Sequence, residues 1–176
     1  MTCIVGLTHK GKVYIGADSA GVAGLNLQVR SDCKVFTNRE FAFGFCGSFR
    51  MGQLLRYSFK PPLRDPDTDL YTYMVTAFID EVRKTLKDGG YAEKKDNTEK
   101  GGFFLVGHAG RLFYIEADYQ VGEAATPYNA TGCGAPFAMG SLFSSKGDAE
   151  KRIREALDSA EANSAGVRGP FHVVVV

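Results

Sequence analysis

The chain opens MTCIVGLTHKGKVYIGADSAG, and Thr2 stands at the head of a strand-like apolar run that begins at Cys3. Chain ends are ordinarily polar and loosely held. A threonine built into a sheet from the second position is either a plain edge residue or a group with a task. Its hydroxyl is a poor nucleophile alone. Once the preceding residue is gone, its own α-amine can act as the adjacent base. That amine has a reference pKa of about 7.7–8.0, close to working pH, and a nearby cation lowers it further. Such a centre needs a lysine beside the terminus, an acid to position the lysine, and backbone donors for a tetrahedral oxyanion.

The elements that would hold these groups follow from hydrophobic patterning. "TCIVGL" and "KVYIGAD" read as a β-hairpin turning at His9-Lys10-Gly11. "KVFTNREFAFGFCG" reads as two more strands around Thr37-Asn38-Arg39. Met51, Leu54, Leu55 and Phe59 recur at helical spacing. "KPPLRDPDTD" breaks that helix and supplies acidic caps for the next. Leu70, Met74, Phe78, Val82 and Leu86 then form a stripe that Gly89-Gly90 ends. The charged stretch "YAEKKDNTEKGG" reads as a mobile connection to a hairpin, "FFLVGHAGRLFYIEAD". A Gly-rich turn in "YNATGCGAPFAMGSLF" feeds a helix with Pro136 in its first turn. Asp148 caps a helix with Ile153, Ala156, Leu157 and Ala160 on one face, and "FHVVVV" is suited to a buried strand.

Strands, two helices, strands, two helices and a final strand lack the regular βαβ alternation of a doubly wound fold. Two sheets covered by helices on their outer faces would bury every stripe. The expectation is an α+β protein with one domain spanning residues 1–176, without repeats or linkers. A net charge of +1 gives no electrostatic reason to expect nucleic acid or an anionic membrane. No run approaches the roughly 18 apolar residues of a membrane span, and the opening lacks the basic and apolar regions of a signal peptide. Cys3, Cys33, Cys46 and Cys133 are widely spaced, which favours reduced thiols in the cytoplasm over a disulfide framework.

Four segments in order, "TCIVGLTHKGKVYIGADS", "DCKVF", "FGFCGS" and "ATGCGAPFAMGSL", resemble the β-type subunits of proteasomes and the bacterial proteasome-like peptidase. The match covers most of the chain. The resemblance implies a four-layer αββα N-terminal nucleophile hydrolase fold and a threonine peptidase without metal or organic cofactor. It places the nucleophile at Thr2, the lysine-orienting acid at Asp18, the lysine that lowers the amine's pKa at Lys34, and an oxyanion-binding N–H at Gly47. Phe45 falls close to the floor of the substrate pocket, where an aromatic would favour small or medium apolar side chains. The resemblance further implies homo-oligomeric stacked rings of six or seven copies, unfolded polypeptide as substrate, and an ATP-dependent unfoldase as a natural partner. Proteasome α-type subunits carry an extension ahead of the first strand, so the chain is not expected to form gating outer rings.

Two departures stand out. Where the family has Gly-Ser-Gly, the chain has Gly132-Cys133-Gly134. The family's serine relays protons near the threonine amine, and a thiol is a weaker donor and acceptor. Where proteasomes place an aspartate and, three residues on, a serine beside the threonine, the chain has Asn163 and Gly166.

Each residue also has an ordinary use. Small second residues favour methionine removal, Asp18 could form a turn, Lys34 could be a solvated strand-edge charge, and Cys133 could be small packing. His9, His108 and His172 share no spacing and read as structural. Only the joint pattern favours catalysis. A ring subunit impaired in turnover, and an amidase acting on small molecules, stay open as alternatives.

Overall fold

The computed structural model describes residues 1–95 and 98–176. Strand β1 (Ile4–His9) folds back on β2 (Lys12–Ala17), with Ile4 opposite Ala17 and His9 opposite Lys12. Lys10 and Gly11 at the turn both have positive φ, the combination that suits the right-handed twist of a two-residue hairpin. Strands β12 (Tyr128–Thr131) and β13 (His172–Val175) flank this pair in a four-stranded sheet of order β12-β1-β2-β13.

A second sheet has the order β11-β10-β9-β6-β5. It combines β5 (Val35–Asn38), β6 (Phe41–Cys46), β9 (Phe103–His108), β10 (Arg111–Ile115) and β11 (Val121–Glu123). All strand pairs in both sheets are antiparallel.

Period-two alternation along β1 and its approach divides the core into layers. Cys3, Val5 and Leu7 face α4 (Ala135–Ser144) and α5 (Ala149–Asn163), packing with Ala138, Leu142, Ile153 and Leu157. Ile4 points the other way and meets Ile15, Val35, Ala42 and Leu105 between the sheets. Gly44 permits that close approach, since a Cβ there would lie 2.5 Å from Ile4 and 2.7 Å from Ile15. The far face of the second sheet is aromatic. Phe43, Phe45 and Phe104 pack there against α1 (Phe49–Tyr57) and the helical segment from Leu70 to Asp88. The result is the expected αββα order of four layers.

Ser48 caps α1 by accepting from Met51 N (3.3 Å), and Asp148 caps α5 by accepting from Lys151 N (2.9 Å). The stripe from Leu70 to Leu86 lies on α2 (Leu70–Tyr73), a π turn (Met74–Phe78) and α3 (Ile79–Asp88), where one regular helix was expected. Four-residue spacing drifts about 40° per step around a 3.6-residue helix. The wider π turn offsets part of that drift and keeps Met74, Phe78, Val82 and Leu86 fully buried.

Other expectations need correction. Residues 20–29, given no structure from sequence, form the hairpin β3 (Ala20–Ala23) and β4 (Asn26–Val29), with Leu25, Leu27 and Val29 exposed. The charged stretch read as a mobile connection carries β7 (Glu93–Lys95) and β8 (Thr98–Lys100), while positions 96 and 97 lie outside the described residues. Strand β13 is an edge strand rather than a buried one: His172 to Val174 are half-buried and Val175 is exposed. Among the described residues no helix is long and apolar enough to cross a membrane.

Candidate active site

The β1–β2 hairpin does the first part of the positioning. Its register, carried one residue beyond Ile4 and Ala17, sets Cys3 against Asp18: Asp18 N donates to Cys3 O (3.3 Å), and Cys3 N donates to Asp18 Oδ1 (3.0 Å). Thr2 therefore lies beside the carboxylate and is almost wholly buried. Lys34, just ahead of β5, comes from the other sheet, and its carbonyl accepts from Phe45 N (3.1 Å). Its Nζ donates to Asp18 Oδ1 (2.8 Å) and to Thr2 Oγ1 (2.7 Å).

This ion pair is buried at both ends, with side-chain exposures of 2% and 0%. A buried pair persists only when its remaining polar atoms are satisfied. The second carboxylate oxygen, Oδ2, accepts from Ala20 N (2.9 Å) and Arg168 N (3.3 Å). Asp18 thus takes three backbone N–H groups and one ammonium. Burial pushes the Lys34 ammonium below its ordinary value of 10.5, against the opposing pull of Asp18. Cys3, whose thiol the same burial pushes up to about 12, is a packing residue.

The hydroxyl of Thr2 donates to the carbonyl oxygen of Met1. With Met1 in place the Thr2 nitrogen is an amide, and it donates to Cys133 Sγ (3.3 Å). The Gly132–Gly134 turn closes against Thr2 from the other side: Gly134 N donates to Thr2 O (3.2 Å) and Cys133 Sγ to the same oxygen (3.5 Å). Gly132 has φ +97°, and a Cβ there would lie 2.2 Å from Thr2 O, so only glycine fits.

Thr2, Lys34, Phe45 and Gly47 open onto one cavity of about 340 Å³, with Met1 at its edge and the β3–β4 hairpin as one wall. Gly47 has φ +94° and open space where a Cβ would project. Phe45 packs against Gly52 of α1, where a Cβ would lie 2.2 Å from its ring, and edge-on to Phe49 at 5.8 Å. Arg30 stacks on Phe49 at 4.0 Å and is itself held by a two-pronged bond to Asp32.

Asp18, Lys34, Phe45, Gly47 and Cys133 therefore gather around Thr2, with Asp18 behind Lys34 and Cys133 on the exposed side. Asn163 does not join them. Its amide donates to Ser159 O in the last turn of α5 (2.8 Å). Gly166 does reach the site, because a Cβ there would meet Met1 Cβ at 2.4 Å and Cys133 Sγ at 2.7 Å. Sequence reasoning passed over Ser164, which donates to Cys133 Sγ (3.3 Å), the Arg168 N–H, and the β3–β4 wall. Ser164 lies inside the stretch that drew notice, but helix-end residues are hard to place by spacing alone.

No protein-family model matches the chain, and no curated protein sequence matches it. Solved structures do match. A Thiobacillus denitrificans BPH aligns at TM-score 0.80 and 19% identity, over 99% of this chain and 97% of that one. The BPH solved in complex with epoxomicin aligns over the same shares at TM-score 0.79 and 19% identity. The eukaryotic HslV of Trypanosoma brucei aligns at TM-score 0.69 and 20% identity, over 98% of each chain. The chain has the fold of BPH and HslV. This is the four-layer N-terminal nucleophile hydrolase fold that the four sequence segments implied, and at such identities the likeness is one of fold.

Proposed function

We propose that the chain is a threonine peptidase, with Thr2 as nucleophile once Met1 is removed. The observation that carries this reading is the buried Lys34 ammonium held at hydrogen-bond distance from both Thr2 Oγ1 and Asp18. A lysine sequestered from water and aimed at a hydroxyl has little structural reason to be there, and it favours negative charge on that oxygen. In the freed enzyme the α-amine takes the hydroxyl proton while Oγ1 bonds to the substrate carbonyl carbon. The oxyanion is met by the Gly47 N–H. The Thr2 α-ammonium so formed, not Lys34, then passes that proton to the departing amine as the C–N bond breaks, leaving an ester that water hydrolyses by the same steps. No metal or organic cofactor enters this chemistry.

The Met1-bearing form is an inactive precursor in this scheme. The lone pair of its Thr2 amide nitrogen is delocalised into the Met1 carbonyl and cannot accept a proton, and Met1 lines the cavity that substrate must enter. The Phe45 ring limits the depth of that cavity, which suits small or medium apolar side chains before the cut. Replacing Phe45 with Leu should admit larger ones in a peptide-library profile.

Homo-oligomeric stacked rings of six or seven copies would enclose these sites, with unfolded polypeptide delivered by an ATP-dependent unfoldase in the cytoplasm. Phe143 on α4 and Leu25 on the β3–β4 hairpin, both strongly exposed, are surfaces such an assembly would cover. Sedimentation velocity would report a species many times the 19.1 kDa chain, and a monomer would sink the ring.

The decisive experiment treats the des-Met protein with an N-terminal-threonine-directed covalent inhibitor, epoxomicin being the first choice given its complex with BPH. A one-to-one adduct by intact mass, lost in Thr2→Ala, supports the peptidase. Cys133 in place of the relay serine favours the second reading, a ring subunit impaired in turnover, and absence of the adduct would support it. Cleavage of small amides in preference to fluorogenic peptides would instead indicate an amidase.

A further inference from the structure

The exposed side of Thr2 lacks the aspartate and the serine expected at positions 163 and 166, yet its sulfur is not left without partners. Cys133 Sγ accepts from Thr2 N (3.3 Å) and from Ser164 Oγ (3.3 Å), and donates to Thr2 O (3.5 Å). A thiol carries one proton and is a weak acceptor. With Ser164 donating into the sulfur, the single S–H is left to point at the Thr2 carbonyl, and a sulfur lone pair faces the Thr2 nitrogen.

Ser164 is also well anchored for this. It is the C-terminal cap of α5, with extended backbone (φ −132°, ψ 116°), and α5 is fixed by its buried face against β1 and β2. Two residues on, Gly166 leaves room for the sulfur, since a Cβ there would lie 2.7 Å from it. A serine at 166 would crowd the thiol. The departures at 133 and 166 are therefore linked in space, a larger atom at 133 beside no side chain at 166, and the hydroxyl of Ser164 reaches the same sulfur.

We infer that Ser164 is a positioning residue for the proposed threonine chemistry, acting through Cys133 to hold the sulfur lone pair toward the Thr2 α-amine. The inference rests on the peptidase reading, and its test separates the two. Ser164→Ala in the des-Met enzyme should lower kcat about tenfold, less than loss of a direct proton-transfer group, with KM for a fluorogenic peptide unchanged. A well-placed acceptor favours the ammonium form of the amine. Without Ser164 the acidic limb of kcat/KM should therefore move to lower pH, which a purely structural role would not cause. Ser164→Thr should restore both. In a Cys133→Ala background, Ser164→Ala should change nothing further.

A second readout needs no turnover. Ser164 donates to the Cys133 sulfur and fixes its orientation, so Ser164→Ala should change the rate of Cys133 alkylation by iodoacetamide, followed site by site with peptide mass. If Thr2→Ala keeps activity, the peptidase reading fails while the alkylation result still judges the Ser164–Cys133 contact. If Thr2→Ala is inactive but Ser164→Ala leaves the pH limb and the alkylation rate unmoved, the positioning role is overturned and the peptidase reading stands.

Discussion

The two sides of Thr2 are built in opposite ways. On one side, Asp18 and Lys34 are buried, lie at the end of β2 and the start of β5 in the two sheets, and hydrogen-bond each other and four further groups. On the other, Cys133 is exposed, Ser164 half-buried, and both are supplied by a turn and a helix end. A buried charge tolerates no loss of a partner, because the group left behind cannot be rescued by water. An exposed thiol–hydroxyl contact can be rebuilt from neighbouring positions or from solvent. The Asp18–Lys34 side is also the one that follows the resemblance read from the sequence, whereas positions 133, 163 and 166 on or near the other side differ from it.

Breaking the buried side should cost most. Thr2→Ala is expected to abolish peptide cleavage while leaving the fold and the assembly intact, because β1 begins at Ile4, with a fall in the thermal midpoint because the buried Lys34 ammonium loses one of its two acceptors. Residual turnover within a few-fold of the unaltered enzyme would refute the nucleophile. Asp18→Asn should lower activity at least a hundredfold, the scale of a lost electrostatic or acid–base group. It should also lower stability by about 3–5 kcal/mol in urea titrations, as expected when a buried charge loses its counter-ion. Lys34→Arg should not restore the activity lost in Lys34→Ala, since a guanidinium is wider and spreads its charge.

The buried side also sets an alkaline limit. Burial lowers the Lys34 pKa in the folded protein below the 10.5 of the free side chain. Between those two values the unfolded chain holds the proton and the folded one does not, so this group's contribution to stability rises with pH across that window and is lost as pH falls through the folded value. Activity should move the other way, falling as the ammonium is discharged at a pH below the ordinary lysine range. An alkaline limb at or above 10.5 in a kcat profile would show that the pull of Asp18 outweighs the burial of Lys34.

The exposed side should yield smaller effects. Cys133→Ser restores the stronger hydrogen-bonding group, and peptide turnover should rise or stay within a few-fold. If instead it abolishes activity and thiol reagents inhibit one for one, Cys133 is the nucleophile and Thr2 is not. Asn163→Ala should change kcat and KM by less than twofold, since the amide serves only the last turn of α5.

Much of this arrangement was legible because it is local. Hairpin β1–β2, the caps at Ser48 and Asp148, and the apolar faces of α1 and α5 follow from alternation, helical spacing and end signals within a few residues of one another. The β3–β4 hairpin was not, because the alternating apolar residues of "AGVAGLNLQV", Leu25, Leu27 and Val29, stay exposed, so the pattern marks no buried face. The run "HVVV" misled for the opposite reason: β-branched residues suit any strand, and only its place at the sheet edge left it half-exposed.

By itself, the sequence determined which residues could do threonine chemistry and which segments would be strands or helices, since residue type and short-range spacing are properties of the chain. Tertiary structure decided what those residues touch. Lys34 reaches Thr2 only because two sheets pack face to face. Asn163 misses the site and Ser164 enters it only because of the angle at which α5 ends. A helix turns by about 100° per residue, so neighbouring positions there face different worlds, and only packing settles which of them meets the sulfur.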